Sequence, residues 1–81
     1  MNRKEMFDVG IIKPGQVIQI VKKPETRATI VDSRTVEYKG QIKTFTKWAQ
    51  EMTGWTGVNI FTKVELITGE RLDTLRKQNS D

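Results

Sequence analysis

Histidine and cysteine are both missing from this 81-residue chain. Without them, Ser–His and Cys–His nucleophile pairs cannot be assembled. Zinc sites built on imidazole and thiolate are ruled out as well. No disulfide framework can supplement the core, which fits a reducing, cytoplasmic setting. Long apolar runs are also absent, and nothing approaches the ~18 continuous apolar residues of a membrane span. Residues 1–6 mix charges with no apolar stretch behind them, unlike a signal peptide. A chain of this size buries only ~60% of its unfolded surface, which leaves room for one domain and none for a deep substrate cavity. Carboxylates, lysines and hydroxyls remain for chemistry. The ten acids are scattered, and nearly all have a base within four residues, so no carboxylate pair stands out whose pKa values would be driven apart. A carboxylate-only magnesium site is the one metal chemistry that composition leaves open. The expectation is a soluble, non-catalytic binding module without a cofactor.

Charge is present in quantity and unevenly placed. The net charge is +4. Residues 11–47 hold eight bases (Lys13, Lys22, Lys23, Arg27, Arg34, Lys39, Lys43 and Lys47) against three acids (Glu25, Asp32 and Glu37). A basic half suits a polyanionic partner, nucleic acid foremost; lysine also serves simply as a solubilising surface residue.

The patterning predicts an α+β fold. Residues 3–9 can form a short helix stopped by Gly10, and Lys13-Pro14-Gly15 is a turn, with glycine supplying the positive φ. The β-branched run 17–21 reads as a strand, and 22–25 as a loop. Residues 27–31 form a second strand with Ala28 and Ile30 on one face. After a turn at 32–34, residues 35–38 pair back, with Val36 and Tyr38 on one face. Lys39-Gly40 turns into a short strand at 41–43. This antiparallel meander needs a cover, which a helix over 46–52 supplies, with Thr46 as N-cap and Gly54 as stop. Its apolar stripe is Trp48, Ala49 and Met52. A further strand is expected at 60–67 and a helical turn or two over 70–77, carrying Leu72 and Leu75 inward. The tail 78–81 is polar and expected to be disordered.

Four segments together resemble the RAMA domain (restriction enzyme and adenine methylase associated). Residues 7–15 (FDVGIIKPG) are similar to the family's opening helix, glycine, two aliphatics and Lys-Pro-Gly turn. Residues 36–40 (VEYKG), 44–54 (TFTKWAQEMTG) and 69–76 (GERLDTLR) are similar to its strand and turn, its central helix ending in Thr-Gly, and its closing Gly-x-x-Leu-x-x-Leu-Arg. The resemblance spans about 6–76 and implies an α+β module that binds DNA, modified DNA included, beside prokaryotic or phage restriction and methylation enzymes. The chain departs from the family at Trp48, where alanine is usual. It departs again at Thr56-Gly57-Val58, where the family often has Asn-Gly-Trp and this chain has Trp55 one step earlier.

Each candidate residue carries two readings. Trp55, flanked by Gly54 and Gly57, can stack on an unpaired or extruded base or cap the end of the core. Thr44, Thr46 and Lys47 at a helix start suit a phosphate or an ordinary N-cap. Lys22, Lys23, Arg27, Arg34, Lys39 and Lys43 form a groove-tracking patch if they share a face, and a solvated surface otherwise. Asn59 can read an adenine edge or cap its own turn. Trp48 is expected in the core. The favoured partner is DNA, with RNA open. The alternative is a protein partner, the chain acting as regulator or inhibitor of a larger nucleic-acid enzyme. That alternative predicts an exposed apolar patch around Trp48, Trp55 and Phe61.

Overall fold

A computed structural model describes residues 2–78. Alternation along the strands decides which face of the sheet is covered. In β1 (Val17–Ile20), Ile18 and Ile20 turn inward; in β2 (Lys23–Ile30), Thr26, Ala28 and Ile30 do; in β3 (Thr35–Tyr38), Val36 does. A hairpin turn at Lys39-Gly40 leads to β4 (Gln41–Thr44), and β5 (Val64–Leu66) buries Val64. The five strands form one antiparallel sheet in the order β4-β3-β2-β1-β5. Every neighbouring pair is consecutive in sequence except β1 with β5, where Ile18 faces Leu66 and Ile20 faces Val64.

Helix α2 (Phe45–Thr53) lies across the inner face and touches β1, β3 and β4. Phe45, Trp48 and Ala49 recur at i, i+3 and i+4, and all three are fully buried. Burial of a side chain of Phe or Ile size contributes ~1.5–3 kcal/mol, so this stripe fixes the helix to the sheet more firmly than its own propensity does. Gly54 ends α2 at φ 76°, a left-handed position that costs glycine nothing. Around this pair, α1 (Arg3–Asp8) adds Met6, α3 (Ile60–Lys63) adds Ile60, and α4 (Leu72–Gln78) adds Leu72 and Leu75 to the same core.

Buried Thr26 ties sheet and helix together. The β1–β2 register shifts between Ile18 and Ile20, and the Thr26 hydroxyl bridges that irregularity. It accepts from the Ile20 N–H at 2.8 Å and donates to the Lys23 carbonyl at 2.6 Å. The Thr26 carbonyl in turn accepts from the Trp48 indole at 3.1 Å. Pairing between β2 and β3 runs at Thr29 and Ile30 and stops short of Thr26, so the indole satisfies a carbonyl that no third strand reaches. At the other end of β2, Asp32 accepts from the Arg34 N–H, the Thr35 hydroxyl and the Thr35 N–H. Those bonds hold its carboxyl below the usual carboxylate range.

Most expected elements are present, with three corrections. Residues 22–25 are not a loop: the turn is Val21-Lys22, and β2 already begins at Lys23, which faces Ile20. Pro24, which has no N–H to give, sits where β3 does not reach. The cap of α2 is Thr44, whose hydroxyl accepts from the Lys47 N–H at 3.0 Å, and not Thr46. Starting two residues earlier carries Phe45 into the core. The expected strand 60–67 divides into α3 and β5. The Asn59 side chain caps α3 by accepting from the Phe61 N–H at 3.0 Å, and the apolar spacing Ile60/Val64 fits a helical turn as well as a strand. Of the tail 78–81, Gln78 belongs to α4 and the rest lies outside the described residues.

Replacing Thr26 with valine keeps the shape but strands the Ile20 N–H and the Lys23 carbonyl. A loss of ~1–3 kcal/mol is expected on urea unfolding, with Thr26→Ser retaining most of the wild-type stability.

Candidate functional site

The segment that follows α2 is held by its own polar groups. The Gly54 N–H donates to the Gln50 carbonyl, the Trp55 N–H donates to the Thr53 hydroxyl at 3.2 Å, and the Gln50 side-chain amide donates to the Thr56 carbonyl at 2.7 Å. In this frame Trp55 stands 52% exposed, whereas Trp48 is fully buried. An indole that projects this far does not serve as a lid on the core.

Trp55 forms one wall of a cleft of about 260 Å³. The β1–β2 turn supplies Lys22 and Lys23, the end of α3 supplies Lys63, and the residue before α4 supplies Arg71. No carboxylate lines it among the described residues. The ion pairs among the described residues join Lys4 to Asp8, Lys43 to Glu51, and both Arg76 and Lys77 to Asp73, so none of the four cleft cations is held in one of them. The Lys63 ammonium lies over the Trp55 ring, 5.4 Å from its centroid. Lys22 is held at φ 64°, a left-handed conformation that costs a side-chain-bearing residue ~1–2 kcal/mol. Strain of this kind collects where a side chain must be aimed.

The other candidates are dispersed. Arg27 lies on the open face of the sheet, donating to Gln19 at 3.3 Å, and Gln19 donates to Glu65 at 2.7 Å. Lys43 turns toward α2 and pairs with Glu51 at 2.7 Å. Lys39 occupies the β3–β4 turn over the Tyr38 ring. Lys47 lies on the far side of Trp55, in a shallower hollow shared with Glu51. Thr46 is exposed in the first turn of α2, where the Lys47 N–H is already taken by Thr44. Arg34 and Asn59 meet at the opposite end of β2, in a different hollow. A single basic sheet face is therefore not formed. Neither is the apolar patch of Trp48, Trp55 and Phe61, because Trp48 is buried and Phe61 is half-buried beneath the Arg76 guanidinium, 4.2 Å from its centroid.

Lys63 and Arg71 escaped the sequence reading for a physical reason. Read as part of a strand, Lys63 shares a face with Phe61 and Glu65; only the α3 turn brings it back over Trp55. Arg71 reaches the cleft through its isolated bridge to Glu65, a tertiary contact with no local signal.

The two tryptophans should separate cleanly in solution. Acrylamide is expected to quench a large share of wild-type emission and little of the emission of Trp55→Phe, which retains only buried Trp48.

Among the described residues, no helix is long and apolar enough to cross a membrane. Compared with known proteins, the chain matches no protein-family model and none of the curated proteins.

Proposed function

We propose that this protein binds nucleic acid without acting on it chemically, that the Trp55 cleft is the contact, and that DNA is the favoured form. The observation that carries this reading is an exposed indole in a cleft lined, among the described residues, by four cations without ion-pair partners and by no carboxylate. A base presents a π-face to an aromatic ring, and stacking of this kind is worth ~1–3 kcal/mol. Its phosphates need cations at hand, and the cleft has Lys22, Lys23, Lys63 and Arg71. The RAMA-like pattern of the sequence supports the same reading, with a cytoplasmic setting beside restriction and methylation enzymes. The strain at Lys22 supports it too, since glycine would hold that turn at lower cost.

Tryptophan emission should fall on titration with an oligonucleotide at low salt. Affinity should drop with added salt at about 0.7 log units per decade for each phosphate contact on a single strand, or about 0.9 on a duplex. Trp55→Ala should weaken binding by about 5- to 150-fold, the equivalent of ~1–3 kcal/mol. No binding at low salt, or affinity indifferent to salt, sinks the reading.

Lys22→Gly tests the strain separately. Its unfolding midpoint is expected to equal or exceed that of the wild type, because the left-handed backbone is relieved. Its oligonucleotide affinity is expected to be lower.

A further inference from the structure

A second hollow, of about 450 Å³, lies between α1, the β2–β3 turn and the start of α3. It sits at the end of β2 remote from the Trp55 cleft. Among the described residues, its lining includes Arg3, Lys4 and Arg34 and no carboxylate. Lys4 answers Asp8 at 2.9 Å; neither guanidinium forms an ion pair among the described residues, although the Asp32 carboxylate, which accepts from the Arg34 N–H, lies near enough to feel the Arg34 charge. Arg3 is half-buried with its guanidinium 4.9 Å from the centroid of the Phe45 ring. Burial pulls its pKa below the ordinary arginine value. A partly desolvated cation backed only by an aromatic ring carries an electrostatic cost, which an anion seated in the hollow would remove.

The neutral groups of the lining point the same way. The Asn2 side-chain oxygen accepts from the Glu5 N–H at 2.8 Å, and that of Asn59 accepts from the Phe61 N–H at 3.0 Å. With both oxygens committed, each side chain keeps its NH₂ group as a donor. Ser33 adds a hydroxyl. Two guanidiniums with fork geometry and two amide donors, with no carboxylate among the described lining residues, complement the oxygens of a phosphate.

We propose that this hollow is a phosphate site built by Arg3 and Arg34, completed by Asn2 and Asn59, and separate from the Trp55 cleft. It does not depend on the nucleic-acid reading of that cleft. The phosphate has two sources, a free or nucleotide phosphate and a phosphodiester of a longer strand.

The test is a ¹H–¹⁵N correlation titration of the intact protein with sodium pyrophosphate and, separately, with a short oligothymidylate. Sodium chloride at matched ionic strength is the control. Saturable shifts at Arg3, Ser33, Arg34 and Asn59 are expected with at least one of the two anions and not with chloride. Pyrophosphate acting alone identifies a free phosphate as the ligand, and a response to the oligonucleotide only identifies the phosphodiester. Arg34→Gln, exposed on its turn, should weaken the response by about tenfold or more, as for loss of a charge-assisted hydrogen bond. Arg3→Lys should weaken it too, because the charge survives but the planar fork does not. No shift at these residues with either anion, or the same shifts in chloride, overturns the proposal. Shifts confined to Lys22, Lys63 and Arg71 also overturn it while leaving the cleft reading intact, so the two readings fail separately.

Discussion

Three hydrogen bonds on one residue hold this fold in register. The Thr26 hydroxyl closes the irregular end of the β1–β2 hairpin, and its carbonyl receives the Trp48 indole. Each bond alone contributes ~0.5–1.5 kcal/mol net, but their placement matters more than their sum. The bonds to the Ile20 N–H and the Trp48 indole are buried and the one to Lys23 partly so, so leaving a buried partner unmatched costs more than making the bond gains. They also settle how α2 lies on the sheet, because the indole can meet that carbonyl only when Phe45 and Ala49 are inward beside it. The position of α2 in turn sets where Gly54 reverses the chain, and hence where Trp55 emerges.

Electrostatics follow from the same frame. The bases of the chain divide into those answered by a neighbour and those left to solvent. Lys4 is spent on Asp8, Lys43 on Glu51, Arg76 and Lys77 on Asp73, and Arg27 on the Gln19–Glu65 chain across the open sheet face. Of what remains, Lys13, Lys39 and Lys47 stand apart, and the other six gather toward the two ends of β2: Lys22, Lys23, Lys63 and Arg71 around an indole at one end, and the guanidiniums of Arg3 and Arg34 at the other. Net charge alone suggests a diffuse basic surface. The pairing pattern converts it into two local concentrations.

Much of the architecture was legible because the signals were local. The Lys-Pro-Gly turn, the β-branched run after it, the alternation of Ala28 with Ile30, and Gly54 as a stop each reflect backbone or packing preferences confined to a few residues. The misreadings occurred where two local patterns coincide and tertiary packing chooses between them. Thr44 and Thr46 are both acceptable caps, and burial of Phe45 selects the first. Ile60 and Val64 suit a helix turn or a strand, and Asn59 tips the balance. The site was half legible: Trp55, Lys22 and Lys23 were each candidates on residue type and chain position, but only the packing of α2 on the sheet brings them to one cleft. Lys63 and Arg71 join them only through α3 and the β1–β5 pairing, which spans more than forty residues and leaves no periodic trace.

The segment bearing Trp55 is short, glycine-flanked and exposed, a composition that normally implies a wide range of backbone conformations. Its tethers to Thr53 and to the Gln50 side chain remove most of that freedom. The entropic cost of ordering a backbone residue, roughly 1–2 kcal/mol, therefore falls on folding and not on ligand capture. A ring presented in this way meets its partner as a fixed surface, so little of the contact energy is consumed in arranging it.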